Sequence, residues 1–391
     1  MKFTNRFNFS LSPNRWTRAL RAAREEGRCL LDLTVSNPTA AGFAWDACQL
    51  AGALGNEAIS VYKPSSRGNF DARRAVADFY AETHQISVSP EQIHLTASTS
   101  EAYAWLLKLL CDPGDNIVMP TPSYPLISFL CCMENTDTRN YFLNYENGRW
   151  TLDFESLERA TDERTRAVFC VNPNNPTGSV FSAEERERLM AFARERDLPL
   201  VVDEVFLEYM AKPTPSFAAA DSGSVFVLGG LSKTAALPQV KAGWIVTCGT
   251  PENREAALSR LDFIADTFLS VSTPAQLAVP ALLCAAPRMR ETIERRLSEN
   301  ERQLREWCAS SRDLEFLNRE GGWYGIVRLP RGIEEESLAT DLLRREGVVV
   351  HPGYFYDLEA IPAPHLVFSL LARESDFSAA FPRIDAAILR N

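Results

Sequence analysis
The chain is patterned as short apolar runs, each followed by a polar turn and then by a helical stretch. Ile93–Thr96 leads into ASTS and then EAYAWLLKLL. Residues 117–119 lead into PTPSYP, 167–171 into NPNNPTG, 200–202 into DEVFLEY and 225–228 into GGLSKT. Strands that read as continuous apolar runs, alternating with helices, predict a mainly parallel sheet covered on both faces. The helix after NPNNPTG is marked at its start. Ser182 and Glu185 have capping-box spacing, and EERERLMAFARER then separates into charged and apolar faces.

The pattern changes near 270–274. RMRETIERRLSENERQLREWCAS reads as one long amphipathic helix. GGWYGIVRL, a second helix (EESLATDLLRREG), VVVHPGYFY and HLVFSLL follow it. Mixed strands and helices in that order predict a smaller α+β domain. The expected organisation is an N-terminal arm and leading strand over 1–36, with the strand at 30–35. A large α/β domain over 37–270 and a small C-terminal domain over 271–391 complete it. The arm is expected to pack on the small domain or on a partner subunit. No repeat or low-complexity tract is visible.

Composition narrows the class. The 391 residues carry a formal net charge of −10 and 46% hydrophobic residues. At roughly 150 residues per domain, two or three domains are expected. The acidic balance argues against a nucleic-acid partner and against a polybasic membrane patch. Nine scattered cysteines without a C-x-x-C pair predict reduced thiols and a cytoplasmic setting. The start MKFTNRFNFSLSPNRW has no apolar core of a signal peptide, and no run of 18 apolar residues suggests a membrane span. His84, His94, His351 and His365 have no ligand spacing, so no metal site is expected.

The loaded turns all follow strand ends, where open parallel sheets bind ligands. In LTASTSEAY, Thr99 and Ser100 sit at a helix start, which favours a phosphate or is simply a cap. In PTPSYP, two prolines stiffen a turn presenting Tyr124, to stack on a flat ring or to pack. In NPNNPTG, the Asn175 amide is placed to donate to a phenolate-type oxygen. In LVVDEVF, Asp203 is placed to pair with a protonated ring nitrogen, with an arginine, or with a helix start. In GGLSKT, Lys233 is placed to form a Schiff base, and Lys241 beyond it to add charge for a phosphate. One flat, phosphorylated, pyridine-containing aldehyde satisfies all five turns.

Taken together, Y-K-P-S-S-R-G (62–68), TASTSEA, PTPSYP, NPNNPTG, DEVF and LSK resemble fold-type I pyridoxal-phosphate enzymes of the class I/II aminotransferase superfamily. The resemblance covers nearly the whole chain. It implies pyridoxal 5'-phosphate as cofactor, with Lys233, Asp203 and Tyr124 as catalytic residues. Thr99, Ser100, Asn175, Phe206, Ser232 and Lys241 are then cofactor contacts. It also implies a homodimer in which Tyr62 reaches the neighbouring site, with STPAQ (272–276) near the interface.

The implied reaction moves an amino group from an amino donor to a keto acid by a ping-pong route, with Lys233 as general base. Departures from the family pattern are equally visible. Phe206 stands where a tyrosine is usual, Lys241 where the phosphate-binding arginine is usual, and Gly230 where a small hydroxyl is usual. LTVSNPT (33–39) lacks a glycine often found there. Val367 aligns with the arginine that clamps a substrate carboxylate; Arg373 is a nearby substitute or a solvated helix-start charge. The missing arginine leaves as alternatives a decarboxylase, a lyase, or an enzyme acting on a substrate without an ordinary α-carboxylate. A cofactor-sensing regulator is a third reading. Trp323 and Tyr324 read as an ordinary core strand or as the lining of an apolar pocket, with the core favoured.

Overall fold
Residues 1–6 and 12–390 are described by a computed structural model; the part of the expected arm at 7–11 lies outside the described residues. An eight-stranded sheet dominates. Its spatial order is Ile93–Thr96, Gly243–Gly249, Ser224–Gly230, Leu200–Asp203, Thr165–Val171, Asn116–Thr121, Asp137–Glu146, Arg149–Leu152. Gly243–Gly249 and Arg149–Leu152 run antiparallel to their neighbours, and the remaining strands share one direction.

The apolar runs are continuous because both faces are covered. Alternate residues point to opposite sides of the pleat. Val118, Val168, Val202 and Val227 join one core cluster, while Ile117, Phe169, Val201 and Phe226 join another. The second cluster is closed by Trp105 and Leu106 of the helix Thr99–Leu110 and by Leu261 and Ala265 of the helix Pro251–Phe268. The first includes Leu189 and Phe192 of Ala183–Glu195. The Ser182–Glu185 capping box forms as its spacing predicts.

A second, antiparallel sheet has the order Glu315–Leu317, Tyr324–Arg328, His365–Ser369, His351–Pro352. The leading strand is shorter than expected: only Leu31–Asp32 pairs, parallel to Val348–Val349. Asp32 ends it by accepting from the backbone and hydroxyl of Thr34, at 2.9 and 2.6 Å, which turns the chain. The segment stays tied to the second sheet, because Ser369 N donates to Leu33 O at 2.7 Å. The arm carries a helix, Arg15–Glu25, which packs on Glu335–Asp341 and thus on the second sheet's side of the molecule.

The long helix also begins earlier than the pattern suggested. It runs Thr273–Ser310 and contains Pro280 and Pro287. Interior prolines normally end a helix. Here the apolar stripe Ala275, Ala278, Val279, Leu282 and Ala286 is buried through both of them, and that packing holds the helix together. Its first half packs on Ala47–Leu54 and Phe70–His84, and its second half on Glu374–Ile388.

Candidate active site
Strands that share a direction bring their carboxyl ends to one edge of the large sheet. The antiparallel strand Gly243–Gly249 brings its start to the same edge, since Gly243 pairs with both Thr96 and Gly230. This places Lys241 beside the turn that carries Lys233. Gly229 lets these strands approach closely: a Cβ there would lie 2.5 Å from the Trp244 indole nitrogen.

Lys233 lies in the short helix Leu231–Thr234. Its Nζ stands 4.9 Å from the Trp323 ring centroid and 5.6 Å from that of Phe206. Burial against these rings pushes its ammonium down to about 8, against the opposing pull of Asp203. The turn is clamped from behind. Tyr209 donates its hydroxyl to the Lys233 carbonyl at 2.8 Å, and Thr234 donates to Glu208 at 2.9 Å.

Asp203 is the last residue of its strand and is buried. One carboxylate oxygen accepts from Val205 N at 3.0 Å and the other from the Tyr103 hydroxyl at 2.8 Å. Burial pushes its pKa up, while these bonds and Lys233 pull it down. No arginine pairs with it among the described residues, so the arginine alternative is not realised. A buried carboxylate supported only by neutral donors is poised to receive a cation. Its neighbour Glu204 points elsewhere. It accepts from Phe217 N at 2.7 Å and from Ser216, and burial lifts it to about 7.

Ser98 caps the helix Thr99–Leu110, which puts Thr99 and Ser100 in the first turn, where backbone N–H groups are free for an anion. Thr99, Ser100, Tyr124, Asn175, Asp203, Phe206, Ser232, Lys233 and Lys241 line one cavity of about 330 Å³. Two buried polar atoms on its wall, Asn175 Oδ1 and Ser123 Oγ, have no hydrogen-bond partner. A lysine amine, a buried carboxylate, a helix start and orphaned polar atoms in one cavity fit the donor set that pyridoxal phosphate requires.

Other expected residues lie apart. Tyr62 is 74% exposed and borders a separate groove with Trp105, Leu269 and Gln276. Arg373 is exposed just before the helix Glu374–Ile388 and does not line the cavity. Val367 is fully buried in its strand and lines nothing. The core reading holds for Trp323, which is wholly buried, and for Tyr324, which is buried in the same core cluster but also reaches the cavity. A backbone stitch precedes this strand. Gly178 and Gly321 meet so closely that a Cβ on Gly178 would overlap the Gly321 carbonyl oxygen. Gly321 N donates to Gly178 O at 3.0 Å, and Gly322 N to Tyr209 O at 2.9 Å. The GG pair of GGWYGIV was the available signal. Ser36 and Tyr103 were missed outright, since each is an unremarked residue within a longer pattern.

The fold and cleft define an α/β enzyme with a desolvated lysine facing a buried aspartate. The sequence profile described as "Aminotransferase class I and II" matches residues 31–365. The chain belongs to that family, and it is an aminotransferase that moves an amino group between an amino donor and a keto acid. Alanine aminotransferase of Mycobacterium tuberculosis is 27% identical over 92% of this chain and 85% of its own length. Nicotianamine aminotransferase 1 of Oryza sativa is 28% identical over 74% of this chain, and the match spans 61% of that protein. The structure of an alanine aminotransferase from Pyrococcus furiosus shares the fold, with a TM-score of 0.90, 22% identity and full coverage of both chains. Nothing in these comparisons supports a decarboxylase or a lyase. No helix among the described residues is long and apolar enough to cross a membrane.

Proposed function
We propose that the cavity holds pyridoxal 5'-phosphate and that Lys233, Asp203 and Tyr124 are its catalytic residues. The observation that carries this is the convergence of Lys233, Asp203 and the Thr99–Ser100 helix start on one cavity. When bound, the cofactor supplies a carbonyl for the amino donor and a ring that draws electrons from the amine-bearing carbon. The chain's residues do the rest. Lys233 bonds the cofactor between turnovers, and its Nζ takes and returns the proton at the amine-bearing carbon. A pKa near 8 keeps that amine a competent base at neutral pH. Asp203 holds a proton on the ring nitrogen, and Tyr103 fixes the carboxylate that does so. Asn175 serves the ring oxygen and Tyr124 the ring face, while Phe206 leaves that oxygen one bond poorer. Thr99, Ser100, Ser232 and Lys241 hold the phosphate. Borohydride reduction followed by peptide mass spectrometry is expected to place the cofactor on Lys233; its recovery on another lysine overturns the assignment.

The proposal extends to a cytoplasmic homodimer, with a large domain over 37–270 and a small one over 271–391. The break between the helices ending at Phe268 and starting at Thr273 supports that division. Buried thiols at Cys131, Cys170, Cys248 and Cys308 suit a reducing compartment. Ile59, Val61, Tyr62, Phe70, Phe263 and Phe268 are exposed large hydrophobics, available to a partner subunit. Mixing Lys233→Ala with Tyr62→Phe tests the shared site. Hybrids regain one intact site only if Tyr62 serves the partner, and no regained cofactor affinity argues against it.

A further inference from the structure
The cavity lining sorts by origin. Residues at the carboxyl edge of the large sheet account for the cofactor. Ser36 and Tyr324 come instead from the leading segment and the second sheet, and they form the remaining wall. Against the larger upward push of burial on the pKa of the Tyr324 phenol, Ser36 and Tyr356 stand near enough to pull it down. Tyr356 stands behind, its ring centroid 6.0 Å from that of Tyr324 and 6.5 Å from that of Tyr124. Its hydroxyl lies 3.3 Å from His351 Nδ1.

This wall is uncharged. Burial pushes Tyr324 up to about 12 and His351 down to about 4, so both are neutral at physiological pH. The charged groups on the lining are Lys233, Lys241 and Asp203, and the lining includes no arginine. Arg373 faces solvent outside it. A guanidinium only donates hydrogen bonds, and it favours a carboxylate through charge. A hydroxyl donates and accepts, so it can pair with a carboxylate oxygen, a carbonyl or an amide N–H and does not require charge on the group it holds.

We propose that Ser36 and Tyr324, with Tyr356 positioning the Tyr324 phenol from behind, form the subsite for the substituent on the substrate's amine-bearing carbon, and that Ser36 and Tyr324 hold it by neutral hydrogen bonds. The substrate class therefore includes amines in which a carboxamide or another uncharged polar group replaces the α-carboxylate. The inference rests on the assignment of this cavity as the aminotransferase site.

The test uses the holoenzyme and rapid-mixing spectroscopy of the amino-donor half-reaction. Several L-amino acids are each compared with their own carboxamides, with rates per unprotonated amine. The second-order rate for acid and amide is expected to agree within about tenfold, the worth of one neutral hydrogen bond. A larger preference for the acid overturns the inference. Tyr324→Phe is expected to slow both members of a pair by a similar factor, roughly tenfold, with cofactor affinity unchanged. Ser36→Ala, a smaller change to packing, is expected to do the same by roughly threefold and covers failure of the tyrosine variant to fold. Variants that slow neither member, or that slow only the acid, overturn it. Conversion of the cofactor by none of the compounds would instead remove the aminotransferase reading of this cavity, and this inference with it.

Discussion

The two walls of the cavity are built differently. The cofactor wall is made by turns that leave one edge of a single sheet, and it carries the fixed charges Lys233, Asp203 and Lys241. The facing wall is made by Ser36, near one end of the chain, and by Tyr324, from the small sheet, with Tyr356 behind it, and it is neutral. The first wall is positioned by strand hydrogen bonds. The second is positioned by the pairing of Tyr324 with Ser369 in the small sheet and by backbone hydrogen bonds between segments distant in sequence: Ser369 N to Leu33 O, Gly321 N to Gly178 O, and Ser123 N to Tyr356 O at 3.1 Å. The charged groups of one wall and the neutral groups of the other are thus held by separate sets of backbone contacts.

The comparison breaks most sharply at Lys233. Lys233→Ala is expected to abolish the visible cofactor–lysine absorbance and to lower the half-reaction rate by about 10⁴-fold or more. Retained absorbance would place the bonding lysine elsewhere. Asp203→Asn is expected to retain cofactor and lose roughly 100- to 1,000-fold in rate, because the ring nitrogen loses its charged partner. A loss under tenfold would show that Asp203 is structural.

Gly178→Ala probes the stitch rather than either wall. Gly178 has φ +65°, and an added Cβ overlaps Gly321. The variant is expected to lose about 2–4 kcal/mol in chemical denaturation and to weaken donor binding more than cofactor binding. Equal weakening of both would mean that the walls are not separable.

A pH effect sharpens the contrast between charged and neutral walls. Folded Lys233 titrates near 8, below its ordinary 10.5. Between those values the unfolded chain holds a proton that the folded chain does not. Stability of the cofactor-free protein therefore rises with pH across that window, and the burial penalty is fully present below pH 8. Lys233→Met is expected to be the more stable protein below pH 8, with its advantage shrinking toward pH 10.5. A pH-independent difference in unfolding free energy contradicts this. The smallest effect belongs to Phe206→Tyr, which restores a donor to the ring oxygen. It is expected to lower the titration midpoint of the visible band by about half a unit, the size of one weak hydrogen bond.

Legibility in the sequence followed the same division. The strand–turn–helix rhythm predicted the sheet because both faces of these strands are buried and every residue must be apolar. The turns were readable because each carries its chemistry within a few residues, as DEVF does for Asp203 and GGLSKT for Lys233. The early start of the helix Thr273–Ser310 was not readable, since Pro280 and Pro287 obey a local rule that distant packing overrides. The leading strand was read too long because the Asp32–Thr34 turn looks like continued β pattern.

The sequence by itself determined the family, the fold class, the turns that line the cavity and the absence of an arginine at Val367. Those depend on local backbone chemistry and on spacing along the chain. Only the tertiary structure decided what stands in the arginine's place. Tyr103 became the support of Asp203, and Ser36 and Tyr324, backed by Tyr356, became a neutral wall, through contacts between residues far apart in sequence. No local pattern encodes such contacts, because a tyrosine in a core strand and one facing a cavity obey the same periodicity. Their difference lies in which neighbour the packing leaves out.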